Sequence, residues 1–326
     1  MKNTPRFTAL FSLPAAVALG LAACAQVPPP TPTVFSRPLT PAITQPIPAR
    51  TPLTSMVIDT EKLPVRPSAV GSTRTVFSGP TVTLNNFESH ITTVNPGQAA
   101  HAPHTHGNDE MLLVKEGTLQ VILKDQTYQA GPGSLIYYSS LDPHGTFNTG
   151  TTPVTYYVFS WMTDKTPNSP STPVVPGAAP AASTGPITAS LTKALPTGTK
   201  LTSTVFDTNK IPVESSVAGE KRSIFNGPTA TLKNFEGHIT TVNPRQAAHM
   251  PPAHGNEEFI LVTEGMFQVA INDQTYLAGP GSLIFYAPNE PHGILNVGDS
   301  PASYYVFIFT TDKTPPNIGA ANTPAR

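Results

Sequence analysis

The chain has 326 residues, a formal net charge of −1 and only 12% charged side chains. That length suits two domains of about 100–150 residues each. The charge balance gives no electrostatic reason to expect nucleic acid or an anionic membrane surface as a partner.

Taken in chain order, the sequence opens with an export pattern. Lys2 and Arg6 precede an apolar run, Phe7 to Leu21, that is too short to span a bilayer stably as a mature helix. The run ends in Leu21-Ala22-Ala23-Cys24, which resembles the bacterial lipobox, where the cysteine is lipidated and becomes the new N-terminus. Cys24 is the single cysteine of the chain, which fits a lipid attachment point better than a disulfide partner. The expected location is the outer membrane, facing the periplasm, because Ala25 rather than Asp follows the cysteine. Ala23-Cys24-Ala25 also satisfies ordinary signal cleavage, which would release a soluble periplasmic protein. Residues 25–37, rich in Pro and Thr, read as an extended tether.

The rest of the chain is a tandem duplication. Residues 53–167 align with 201–315 without a gap, with roughly three positions in five identical. The expected organisation is a signal segment 1–24, the tether 25–37, a first domain 38–167, a linker 168–185, a second domain 186–315 and a polar tail 316–326. At the start of each domain Leu39, Ile43 and Ile47 match Ile187, Leu191 and Leu195. This spacing predicts an arm that docks on a barrel, its own or the neighbour's; Pro46 and Pro48 argue against a helix there. Short runs rich in Val, Ile, Thr, Phe and Tyr then recur between Gly, Pro and Asn. They include Thr81–Leu84, Ile91–Val94, Met111–Val114, Leu119–Leu123, Ser134–Tyr138 and Val154–Trp161. They predict an all-β sandwich or closed barrel in each repeat, each long enough to bury its own core. Arg74 and Arg222 are expected to precede the first barrel strand, leaving no basic residue in the pocket strands.

All nine histidines fall inside the two copies. They pair as His90/His238, His101/His249, His106/His254 and His144/His292, while His104 faces Pro252. His104 and His106 share a strand face, Glu110 follows beyond the Gly107-Asn108 turn, and His144 arrives from a distant strand. Three imidazoles and a carboxylate suit Mn, Fe, Ni, Cu or Zn rather than Ca or Mg. The second copy keeps His254, Glu258 and His292, a two-His-one-carboxylate set, and is expected to be metal-poor. His249 is a candidate replacement for the lost group, but His101 is retained opposite it in a copy with no vacancy, which favours a shared structural or pocket role for both. His90 and His238 read as strand residues partnered by Glu88 and Glu236. Tyr137, Tyr138, Tyr156 and Tyr157 read mainly as core, with one or two of them lining the pocket.

The spacing Gly97, His104-x-His106, Glu110, Gly117, followed by Gly133, Pro143, His144 and Asn148, resembles the two motifs of the cupin superfamily. Gly281, Pro288, His292 and Asn296 repeat the second motif. The resemblance implies a bicupin: two tandem jelly-roll, or double-stranded β-helix, barrels. It assigns His104, His106, Glu110 and His144 as metal ligands. It leaves the reaction open, since metal-bearing cupins include dioxygenases, decarboxylases, oxidases, isomerases and binding proteins. The expectation is a metal-dependent enzyme of the dioxygenase or oxidoreductase type acting on a small molecule. The alternative is a non-catalytic envelope lipoprotein that binds metal or a small molecule. The partners expected are the small-molecule ligand, the lipid anchor and a further copy of the chain.

Overall fold

The computed structural model describes residues 37–174, 181–249 (the last by its backbone alone) and 253–318. Cys24, the export signal and Pro252 lie outside the described residues. Regular structure there is all β apart from two short 3-10 turns, Thr60–Lys62 and Thr208–Lys210. No helix among the described residues is long and apolar enough to cross a membrane.

Strand Asp109–Glu116 carries an unbroken apolar run, Met111 to Val114, because both of its faces are buried. Its side chains alternate between two environments. Leu112 and Val114 join Val121, Tyr138, Tyr156 and Val158 inside the first barrel. Met111 and Leu113 point the other way, into a cluster shared by both repeats that includes Phe159, Trp161, Phe235, Phe259 and Phe309. The second copy repeats this, with Ile260 and Val262 inside its barrel and Phe259 and Leu261 in the shared layer. Rings of the two repeats meet there, Phe159 to Phe259 at 4.6 Å and Trp161 to Phe235 at 4.9 Å between centroids.

Each barrel pairs a large antiparallel sheet with a smaller one. The first large sheet runs, in spatial order, Thr204–Asp207, Ser134–Tyr138, Asp109–Glu116, Val154–Met162, Asn86–Val94, Gly71–Gly79 and Arg66–Ser68. Its partner sheet carries His104–Thr105 and His144–Phe147 side by side. The outermost strand of each large sheet belongs to the other repeat. Met56–Asp59 pairs with Ser282–Tyr286, and Thr204–Asp207 pairs with Ser134–Tyr138. The arms follow the same exchange, Leu39 bridging to Thr275 and Ile187 to Thr127. The arm therefore docks on the neighbour's barrel. Each repeat does bury a core inside its own barrel, to which the exchanged strands add Val205 and Val57, and a further apolar layer is common to both.

Two expectations are corrected. Thr81–Leu84 is a loop, not a strand; the Thr81 hydroxyl accepts hydrogen bonds from the amides of Thr83 (3.3 Å) and Leu84 (2.8 Å), closing a local turn instead of a ladder. Arg74 and Arg222 lie within strands Gly71–Gly79 and Gly219–Gly227, not ahead of them.

Buried carboxylates fasten one repeat to the other. Asp109, fully buried, accepts hydrogen bonds from Thr229 Oγ1 (2.9 Å), Thr231 Oγ1 (2.7 Å) and the Ser140 amide (2.8 Å). Its equivalent, Glu257, accepts from Thr81 Oγ1 (2.8 Å) and the Thr83 amide (2.9 Å).

Candidate metal centre

The parity that sends Leu112 into the first barrel sends Glu110 there too. His144 lies opposite His104 across the small sheet, and His106 follows on the same face as His104. The possible ligand atoms of His104, His106 and His144 all lie within 4.8 Å of one another. Glu110 stands outside that tight trio but beside it, its Oε2 3.4 Å from His106 Nε2.

The imidazoles are oriented by the backbone. His106 Nδ1 faces the Asn108 carbonyl at 3.1 Å, and His144 Nδ1 faces the Asp142 carbonyl at 2.8 Å. Each carbonyl can only accept, so Nδ1 carries the proton and the Nε2 lone pair is turned into the barrel. Tyr138 stacks on His144 at 4.1 Å and 14°, fixing the plane of that ring. His104 Nδ1 and His144 Nε2 are buried with no hydrogen-bond partner among the described residues. Buried polar atoms without partners are rare, and here they converge.

Electrostatics favours a cation at this point. Burial, then the neighbouring His101, His144 and His106, pull the His104 pKa down to about 4, and burial also lowers that of His144. Both are therefore neutral donors at neutral pH. Burial opposes charge on His106, but its contact with Glu110 outweighs this and raises its pKa. Burial likewise opposes the ionised Glu110, while His106 and the other imidazoles hold its pKa at about 2. A divalent cation can sit between the Nε2 lone pair of His106 and the Glu110 carboxylate, where a proton would otherwise be favoured. Three nitrogens and one carboxylate oxygen fit a transition metal by softness and number.

Around this cluster a cavity of about 70 Å³ is lined by Leu112, Tyr138, Tyr156 and Val158, with His90 and His101. His101 stacks edge-on against His104 at 4.2 Å. His90 bonds Glu88 at 2.7 Å, the partnership expected from the sequence. Asn148 is a clip rather than a ligand; its side-chain amide donates to the carbonyls of Val94 (2.8 Å) and Thr152 (2.9 Å).

In the second barrel His254, Glu258 and His292 also come together within 4.8 Å. His254 Nε2 is 3.1 Å from Glu258 Oε2, and Tyr286 stacks on His292 at 4.0 Å. The position of Pro252 and the side chain of His249 lie outside the described residues. The cavity here is larger, about 480 Å³, and Lys221 lines it beside His238, His254 and Glu258. This corrects the expectation of no basic residue in the pocket strands. The signal was the β-forming run Ser223-Ile224-Phe225 between Gly219 and Gly227, which places Lys221 on a strand.

Comparison with known proteins agrees with this architecture. A cupin domain model matches twice, over residues 90–160 and 238–309. No curated protein sequence matches the chain. Among solved structures, the chain resembles the oxalate decarboxylase of Lactobacillus farciminis in a formate complex. The identity is 15%, the match covers 81% of this chain and 88% of that one, and the TM-score is 0.57. A variant oxalate decarboxylase of Bacillus subtilis matches at 16% identity, over 80% and 78%, with a TM-score of 0.56. Two matched domains, two histidine clusters in register with the repeat and a double barrel agree: the chain carries two tandem cupin domains and is a bicupin.

Proposed function

We propose that the chain is an exported, metal-dependent bicupin enzyme whose first barrel acts on a small oxygenated molecule. The observation that carries this reading is the convergence of His104, His106 and His144 within 4.8 Å, beside an ionised Glu110. These four residues would hold a divalent transition metal. When bound, that ion supplies Lewis-acid or oxygen-activating chemistry. The chain itself supplies the rest. Glu110, ionised at neutral pH, can accept a proton but not donate one. Leu112, Tyr156 and Val158 wall the cavity with apolar surface and limit water. A cavity of about 70 Å³ admits only a few non-hydrogen atoms beside the cluster, which favours short acids and related oxygenated compounds. Oxalate, the substrate in the names of the similar structures, is the first compound to test.

The tetrad ending in Cys24 supports an outer-membrane lipoprotein facing the periplasm, with a soluble periplasmic form as the alternative. A binding role without turnover is the second reading. It is favoured by the roomier second barrel, where Lys221 stands beside His254 and Glu258.

The deciding experiment is elemental analysis of the native protein and of His106→Ala and His254→Ala, followed by assays of carbon dioxide release from oxalate and of oxygen consumption. The expected result is about one tightly held metal per chain, lost in His106→Ala together with activity and retained in His254→Ala. Undiminished turnover by His106→Ala would remove the first barrel from the reaction.

A further inference from the structure

Between the two barrels lies an open cavity of about 690 Å³ that neither histidine cluster lines. Its size falls within the range of about 300–1,000 Å³ typical of small-ligand pockets. Duplicated residues form opposite walls, among them Leu113 and Leu261, Tyr157 and Tyr305, Gly133 and Gly281. Both glycines have a positive φ, +81° and +83°, and a side chain from the other repeat lies over each: Asn209 over Gly133 and Glu61 over Gly281.

The charges break this symmetry. On one side Arg74 donates to the carbonyls of Thr60 (2.9 Å) and Glu61 (3.1 Å) and pairs with Glu61 Oε2 at 3.4 Å. Lys115 also reaches Glu61, at 2.7 Å. On the other side the equivalent of Glu61 is Asn209 and that of Lys115 is Thr263. Asn209 donates its amide to the Pro132 carbonyl at 2.9 Å. The contacts of Arg74 have no counterpart at Arg222, whose Nε is buried without a hydrogen-bond partner among the described residues. A buried guanidinium donor left unmatched is costly, and the carboxylate that pairs with Arg74 Nη1 in the first repeat, that of Glu61, is replaced in the second by the Asn209 amide.

We infer that the cavity between the barrels binds a small monocarboxylate with an apolar body, its carboxylate held by Arg222. The planar guanidinium matches a carboxylate in geometry as well as charge. Ile239, Leu261 and Tyr305 supply apolar wall for the rest of the molecule, and Glu220 and Glu264, which also line the cavity, repel a second negative charge.

The test is isothermal titration of the full chain with hexanoate and with succinate. The variants are Arg222→Gln and Asn209→Glu, the second giving Arg222 the internal partner that Arg74 already has. Saturable hexanoate binding is expected in the wild type, weakened about tenfold or more in both variants, with succinate binding more weakly than hexanoate. Asn209→Glu should melt at or above the wild-type temperature, so a misfolded Arg222→Gln would not leave the question open. His106→Ala should bind hexanoate as the wild type does, since the site is separate from the histidine cluster. Absence of saturable hexanoate binding, equal binding by wild type and Asn209→Glu, tighter binding of succinate, or loss of binding in His106→Ala would each overturn the inference.

Discussion

At the residue scale, the two copies build their histidine clusters with the same supports but different stakes. His144 and His292 each point Nδ1 at a carbonyl two residues back, at 2.8 and 2.7 Å, and each lies under a tyrosine ring. The hydroxyls of those tyrosines, Tyr138 and Tyr286, are buried and have no hydrogen-bond partner among the described residues. Removing a buried hydroxyl that bonds nothing relieves a desolvation cost while keeping the ring and its packing. Tyr286→Phe is therefore expected to raise stability by about 1 kcal/mol, read as an increase in melting temperature with unchanged metal content. A fall in melting temperature would mean that the hydroxyl has a partner in solution, such as an ordered water.

At the scale of elements, the strand that presents Glu110 to the histidine cluster presents Asp109 to the other barrel, and its counterpart presents Glu258 and Glu257 in the same way. Burial raises the Glu257 pKa above its ordinary 4.5, against the opposing hydrogen bonds from Thr81 and Thr83. The sign follows: the folded state holds this proton more tightly than the unfolded one, so the contribution is most favourable below 4.5 and is lost as pH rises through the raised folded value. Wild type should therefore gain stability relative to Glu257→Gln as pH falls from neutral into the acidic range, measured as the difference between their melting temperatures at each pH. A difference that is flat or of opposite slope would contradict the burial argument. The histidine cluster was legible in the sequence because ligand chemistry demands particular residue types, and strand parity dictates which of them share a face. The same parity made Met111 to Val114 visible as a strand. The exchange of outer strands was not legible, because Met56–Asp59 and Thr204–Asp207 are near copies. Pairing within a repeat or across repeats satisfies the same pattern. Arg222 was missed as a pocket residue because Gly219, Glu220, Lys221 and Ser223 around it resemble a turn until the run toward Phe225 is read as part of the same strand.

On the scale of the whole molecule, the duplication yields one interlocked body from two similar repeats. Strand Met56–Asp59 completes the second barrel and strand Thr204–Asp207 completes the first. Val57 and Ile58 are 0% and 1% exposed in that exchange, and Val205 and Phe206 are fully buried. Fully burying each such side chain is worth about 1.5–3 kcal/mol, so a separated repeat loses several kcal/mol at its own strand and as much again at the vacated sheet edge. The shared aromatic layer is exposed as well, and a domain's net stability is only about 5–15 kcal/mol. A fragment of residues 38–174 should therefore not exist as a folded monomer. Because its Met56–Asp59 strand resembles the Thr204–Asp207 strand it has lost, it can pair with Ser134–Tyr138 of a second copy, as domain-swapped proteins do. The expected result of size-exclusion chromatography with circular dichroism is a dimer or an unfolded chain, and mixing with residues 181–318 should yield a folded heterodimer. A monomeric 38–174 fragment with cooperative melting would mean that the exchanged strand is dispensable and that each barrel stands on its own core.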